Sequence, residues 1–324
     1  MHVLITGAAG MIGRKFAERL AARGLLGESK VTALTLADVI APDVATDFSG
    51  RREMLTTDLA APGAAQRLVA GRPDVIVHLA AIVSGEAEAD FEKGYAVNLD
   101  GTRELFDAIR AIPDYTPRVV YASSLAVFGA PFPDRIPDDF NLTPLTSYGT
   151  QKAMGELLLD DYSRRGFLDG VGIRFPTICI RPGKPNKAAS GFFSGIMREP
   201  LHGLGAVLPV TTDVRHWHAS PRAAVGFIEH AATMASSDLG HRRNLTMPGV
   251  SATVGDQIEA LRRHAGNEAV ALIRHEPDET IMKIVSGWPR DFDTARARAL
   301  GFRAEPSFDE ILQVYVEDEM AVTP

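Results

Sequence analysis

The sequence predicts an α/β fold: a doubly wound parallel sheet followed by a smaller C-terminal region. Three observations carry this reading. Short apolar runs rich in β-branched residues alternate with longer stretches of helical spacing through the first half of the chain. A glycine-rich turn, Gly7-Ala8-Ala9-Gly10-Met11-Ile12-Gly13, joins the first of these runs to the first helix. After Ile180 the alternation stops, and loops and scattered short elements take over.

The predicted strands are His2–Thr6, Val31–Ala37, Val75–Ala80 and Val119–Ala122, with one more at Val171–Phe175. A further strand should end at Thr57-Asp58-Leu59. Between them, helical spacing marks Met11–Arg23, Ala64–Ala70, Phe91–Ile112 and Tyr148–Arg165. Right-handed crossovers then place helices on both faces of the sheet. Beyond Ile180, Arg181–Ser190 holds two Pro, one Gly, two Lys and an Asn and reads as a loop. Short helices are expected at Gly191–Arg198, at Thr253–Ala265 with Thr253 as its cap, and at Phe308–Glu319. The division falls near residue 180: a domain of residues 1–180 and a smaller one of residues 181–324, with segments crossing back. The cleft of their interface is the expected substrate site.

Bulk composition excludes several classes. The 324 residues are 45% hydrophobic and 23% charged, a globular balance that can bury a large core. With 34 basic and 41 acidic side chains the net charge is −7, and no basic patch suggests nucleic acid or an anionic membrane surface. Cys179 is the single cysteine, so no intrachain disulfide forms and a thiolate zinc site lacks ligands. No apolar run is long enough to span a bilayer and the first residues do not resemble a signal peptide. The expectation is a cytoplasmic enzyme that meets small molecules.

The glycine turn directly follows a strand and opens a helix, the context a dinucleotide site requires. Gly7 permits the tight turn, Gly10 lets backbone approach a pyrophosphate, and Gly13 lets helix pack on strand. The helix N-terminus at Met11 and Ile12 offers N–H groups to the phosphates. A Rossmann-like fold is therefore expected. Asp38 ends the second strand, where a carboxylate accepts hydrogen bonds from the adenosine ribose. It would repel a 2′-phosphate, and no Lys or Arg follows until Arg51, which favours NAD over NADP. Asp58 could reach the adenine amino group; a solvated loop aspartate fits the sequence equally well.

Tyr148 and Lys152 stand four residues apart, on one face of a helix. A free phenol has a pKa near about 10, and a neighbouring ammonium lowers it toward a usable base. Ser123 and Ser124 close the strand upstream, and either could hydrogen-bond a substrate oxygen.

Ser147-Tyr148-Gly149-Thr150-Gln151-Lys152, Ala122-Ser123-Ser124-Leu125-Ala126-Val127-Phe128-Gly129 and the glycine turn together resemble the extended short-chain dehydrogenase/reductase family. The resemblance runs nearly the whole length. It implies that Ser124, Tyr148 and Lys152 are catalytic, with Ser124 favoured over Ser123. It also implies NAD contacts at Leu59, Ala80, Asn98, Ser123 and Pro176, and a homodimer built through Phe91–Ile112 and Tyr148–Arg165. Within the family, Arg174-Phe175-Pro176-Thr177 and Arg215-His216-Trp217-His218 depart from sugar-nucleotide enzymes. With Ile82–Glu86, Arg181–Asn186 and Ser190–Phe193 they resemble the group of D-erythronate dehydrogenases. That group oxidises a four-carbon sugar acid at C2 with NAD. Substrate contacts are then expected at Ser84, Ser124 and Thr177, with Arg181 or Arg215 on the carboxylate. For each Arg an ordinary ion pair is the alternative. His216 and His218 share a strand face, but with no third ligand nearby no metal is expected. Two other functions fit the same motifs: a sugar-nucleotide epimerase or dehydratase, and an NAD-sensing binding protein without turnover.

Overall fold

The computed structural model describes residues 1–43, 47–183 and 189–321. In chain order its first half comprises β1 His2–Thr6, α1 Met11–Arg23, the short pair β2 Leu25–Leu26 and β3 Ser29–Lys30, β4 Ala33–Asp38 and β5 Arg51–Thr56. It continues through α2 Ala64–Val69, β6 Val75–His78, α3 Ser84–Ala89, α4 Phe91–Tyr95, α5 Gly101–Arg110, β7 Arg118–Ser124, α6 Ser147–Arg164 and β8 Asp169–Phe175. The second half holds β9 Thr177–Ile178, α7 Gly191–Leu201, β10 Ala206–Leu208, β11 Arg215–Ala219, α8 Pro221–Thr233, β12 Asn244–Thr246 and β13 Val250–Thr253. It ends with α9 Val254–Val270, β14 Ile273–His275, α10 Glu279–Ser286, α11 Ala295–Ala299 and α12 Phe308–Tyr315.

Two compact units result. The first is Met1–Val127 with Pro144–Arg174 and Val225–Leu245; the second is Phe128–Thr143 with Phe175–Ala224 and Thr246–Pro324. The first is built on a seven-stranded sheet of order β12-β8-β7-β6-β1-β4-β5. Pairing is parallel from β5 through β4, β1 and β6 to β7. The central strands are apolar on both faces because helices cover both: Val3, Leu4 and Ile5 are fully buried, as are Ile76, Val77, Val119 and Val120. Phe106 and Ile109 of α5 and Leu159 of α6 pack on Leu4, Ile76, Val119 and Tyr121. The sheet and its helices are the Rossmann-like α/β architecture expected from the alternation.

The second unit has its own core, in which Phe193, Ile196 and Met197 of α7 meet Val254 and Leu261 of α9 and Ile311 and Leu312 of α12. Its largest sheet has the order β13-β11-β9. Thr253 caps α9 as the sequence suggested: its side chain accepts from the Asp256 N–H at 2.9 Å, and the Asp256 carboxylate accepts from the Thr253 N–H at 2.8 Å.

One predicted helix is broken. Phe91–Ile112 becomes α4, a π-helical turn over Ala96–Asp100, and α5. Apolar periodicity continues through such a turn, so the pattern conceals it. The turn places the fully buried Asn98 side chain against backbone at Ile82. The strand expected to end at Leu59 ends instead at Thr56, and Asp58 caps the following turn by accepting from Ala60 N–H at 2.9 Å.

A buried ion pair ties three elements of the first unit together. The Glu156 carboxylate on α6 is 1% exposed and accepts from Arg174 Nε at 2.9 Å and Nη2 at 2.8 Å, Arg174 lying on β8. It also accepts from the Ser123 hydroxyl on β7 at 2.5 Å. Removing one partner strands a buried charge. Glu156→Leu should therefore cost about 3–5 kcal/mol in urea unfolding, while Glu156→Leu combined with Arg174→Met should cost much less. Equal losses would mean the pair is not what holds these elements together.

Candidate active site

The glycine loop follows directly from β1. Gly7 has φ +73°, and a Cβ there would lie 2.7 Å from Ala80 N, so the loop runs against the backbone that leaves β6. A Cβ on Gly13 would stand 2.2 Å from Gly7 O, so only glycine allows α1 to begin so close to the strand. Gly10 differs: it is exposed, and a Cβ there would meet only Gly7 O at 3.2 Å. It leaves a hollow at the start of α1, which has no side-chain cap and no acid in its first turn. A helix N-terminus left in that state suits a diphosphate. Asp38, at the end of β4, accepts from the Ala9 N–H at 2.9 Å, so its carboxylate borders the same loop. Leu59 is buried against Gly101, and Asp58 beside it is exposed. These residues fit a dinucleotide with a free ribose 2′-hydroxyl.

The Ser, Tyr and Lys lie in the same unit, at the end of β7 and the start of α6. Alternation along β7 separates the two serines. Ser123 is buried and donates to Glu156, whereas Ser124 is half-buried and accepts from the Ala126 N–H at 3.2 Å. Lys152 is 2% exposed and donates from Nζ to Ala122 O at 2.8 Å. Its Nζ stands 5.0 Å from the Tyr121 ring centroid and 5.9 Å from that of Tyr148. Burial lowers the ammonium to about 8, and the negative charge of Glu156 opposes that fall. Tyr148 is half-buried one turn ahead of it, on the face that Thr146 opens by capping α6. A phenol beside a partly desolvated ammonium, with a hydroxyl on the adjoining strand, is competent for proton transfer at a substrate oxygen.

Asn98 braces this centre. Its Oδ1 accepts from Ile82 N–H at 2.9 Å, and its Nδ2 donates to Ile82 O at 3.2 Å and to Gln151 Oε1 at 2.8 Å. It thereby joins the loop after β6 to the residue preceding Lys152. Ala80 is in that loop, and Ser84 lies exposed at the start of α3.

The remaining candidates lie in the second unit. Pro176 is buried, and Thr177 on β9 is hydrogen-bonded to His216 Nε2 at 2.7 Å. Arg181 is partly buried and donates from Nε to Ile178 O at 2.9 Å. Arg215 sits exposed at the head of β11 and donates to Ser251 O at 3.3 Å. His216 and His218 both face inward; His216 also bonds Pro289 O at 2.9 Å, and His218 bonds Gln257 at 2.9 Å. No group of three metal-ligating side chains occurs among the described residues. Cys179 is fully buried, and burial pushes its thiol up to about 12, which leaves it an inert packing residue. Lys184, Pro185 and Asn186, part of the expected substrate loop, lie outside the described residues.

Sequence reasoning missed Glu156, Gln151 and His78. Glu156 had a signal, since it follows Lys152 by four residues and shares its face. Gln151 and His78 had none, because what they touch is distant in the chain.

The fold and this centre define an NAD-dependent enzyme of the extended short-chain dehydrogenase type. The chain belongs to the NAD dependent epimerase/dehydratase family, whose profile matches residues 3–221. It is 46% identical over 322 residues to the D-erythronate dehydrogenase of Cupriavidus necator, covering 98% of each chain. To the D-erythronate dehydrogenase of Haemophilus influenzae it is 42% identical over 320 residues, covering 99% and 100%. Among solved structures it resembles a nucleoside-diphosphate-sugar epimerase from Agrobacterium tumefaciens, with 63% identity, a TM-score of 0.98 and coverage of 100% and 95%.

Asp38 yields a direct test. Wild-type enzyme should favour NAD over NADP by on the order of 100-fold or more in kcat/KM, and Asp38→Ala should shrink that ratio. Equal wild-type efficiency with both cofactors would remove Asp38 from the ribose site.

Proposed function

We propose that the protein oxidises D-erythronate, or a closely related aldonic acid, at C2 to the 2-oxo acid, as a cytoplasmic homodimer. The observation that carries this reading is the similarity to two D-erythronate dehydrogenases over 322 and 320 residues, well beyond the cofactor half. The likeness to an epimerase structure favours a second reading, turnover of a nucleoside-diphosphate sugar with NAD retained. Against it stand Thr177 and the Arg215–His218 segment, which depart from the sugar-nucleotide pattern.

Gly7, Gly10, Gly13 and the N–H groups of Met11 and Ile12 would hold the pyrophosphate, and Asp38 the adenosine ribose. Ala80, Asn98, Ser123 and Pro176 would border the nicotinamide half, with Asp58 and Leu59 toward the adenine. The chemistry that bound NAD supplies is acceptance of the hydride from C2. Ser124 Oγ donates to the substrate oxygen and orients it. Tyr148 Oη, as phenolate, takes the proton of the C2 hydroxyl as the C–O bond becomes C=O. The Lys152 ammonium stabilises that phenolate and would hydrogen-bond the nicotinamide ribose. Arg181 is the better candidate for the carboxylate, because it is partly buried where Arg215 is exposed. Ser84 and Thr177 would take substrate hydroxyls. For the dimer, α4 and α6 expose Phe91 and Leu157.

Purified protein should form NADH steadily with D-erythronate. Tyr148→Phe should lower kcat by roughly 100- to 10,000-fold with NAD affinity little changed, since only the proton acceptor is lost. If no aldonic acid reduces NAD while a nucleotide sugar is interconverted, the epimerase reading replaces this one.

Arg181→Ala should raise KM by about 10- to 150-fold with a smaller effect on kcat, the loss expected for a charge-assisted contact. A larger rise for Arg215→Ala would move the carboxylate site to Arg215.

A further inference from the structure

His78 ends β6 and has no part in the chemistry above, yet it is 1% exposed and both its ring nitrogens are bonded. Nδ1 is 2.8 Å from Thr6 Oγ1, and Nε2 is 2.9 Å from Thr102 Oγ1. Thr6 is the last residue before Gly7. Thr102 lies on α5, four residues after Asn98.

The polarity of this chain follows from counting protons. Thr102 has one hydroxyl proton and donates it to Asn98 O at 2.8 Å. Towards His78 it can only accept, so Nε2 carries a hydrogen. Burial and the nearby Lys152 charge lower the imidazole to about 3, so the ring is neutral and Nδ1 is an acceptor. Thr6 then donates to Nδ1, and its lone pair accepts from the Ala80 N–H at 3.3 Å. Asn98 continues the path by donating to Gln151, the neighbour of Lys152. Both threonine hydroxyl protons are thus assigned, and all five side chains, Thr6, His78, Thr102, Asn98 and Gln151, are nearly or fully buried.

We propose that His78 is a positioning residue that couples the cofactor loop to the catalytic helix, its Nε2–H form bridging Thr6 and Thr102. The proposal rests on the assignment of Tyr148 and Lys152 as the reacting pair. This polarity resists reversal, because turning the Thr102 hydroxyl proton to Nε2 would strip it from Asn98 O. Disturbance at Thr102 should therefore be felt at Gly7, on the other side of the imidazole. A role confined to local packing would not reach that far.

Two measurements test this. In the wild-type protein, the imidazole 15N signals of His78 should report a protonated Nε2 and a bare Nδ1, with no titration between about pH 5 and about pH 9. A protonated Nδ1, or titration in that range, overturns the proposal. This needs neither a variant nor turnover. Thr102→Val then removes the acceptor of Nε2–H at nearly constant volume, whereas Thr102→Ser keeps it. We expect Thr102→Val to weaken NAD binding about tenfold, read by calorimetry, and to lower kcat roughly 10- to 100-fold. Thr102→Ser should restore most of both. Unchanged NAD affinity in Thr102→Val, or equal damage from the two substitutions, overturns the coupling. If wild-type protein forms no NADH from a sugar acid, the sugar-acid reading falls, and the spectrum and NAD affinity still decide the role of His78.

Discussion

A carboxylate buried in the core must be neutralised, and in the first unit the Arg174 guanidinium meets that demand. Glu156 meets the Arg174 guanidinium with two near-parallel hydrogen bonds and takes a third from Ser123. The strands and helix that carry these groups are thereby locked in register. Because side chains alternate along β7, Ser123 turns to Glu156 and its neighbour Ser124 faces the other way. The Ser123 hydroxyl is thus engaged by a residue 33 positions downstream.

The same carboxylate tempers the effect of burial on Lys152. Burial alone pushes an ammonium toward neutrality, and a nearby negative charge restrains the change. Lys152 is further fixed by Ala122 O and by the Tyr121 ring. A cation placed in this way can stabilise a phenolate without moving during the reaction, the condition under which electrostatic preorganisation is effective.

Fold and chemistry point to the same family but not to one substrate. Relatives named as dehydrogenases and a structure described as an epimerase both match this chain over nearly its whole length. The difference between such activities lies in how the substrate is gripped and in whether reduced cofactor is released, neither of which the sheet dictates. Within the second unit, Thr177 is held by His216 Nε2 and Arg181 by Ile178 O.

What the sequence determined by itself was local. The strand-helix alternation set the α/β class, the glycine spacing set the turn between β1 and α1, and the four-residue step set Tyr148 and Lys152 on one stretch of α6. Each depends on residues within one turn or one loop, where spacing alone dictates geometry. Tertiary structure decided what depends on distant partners. It turned Ser123 to Glu156, broke Phe91–Ile112 with a π turn to seat Asn98, and ended β5 short of Asp58. It also closed the path from Thr6 through His78 to Gln151. A buried hydrogen bond between residues tens of positions apart leaves no periodicity in the chain. Its partners are named only when the core has closed and every buried donor must find an acceptor.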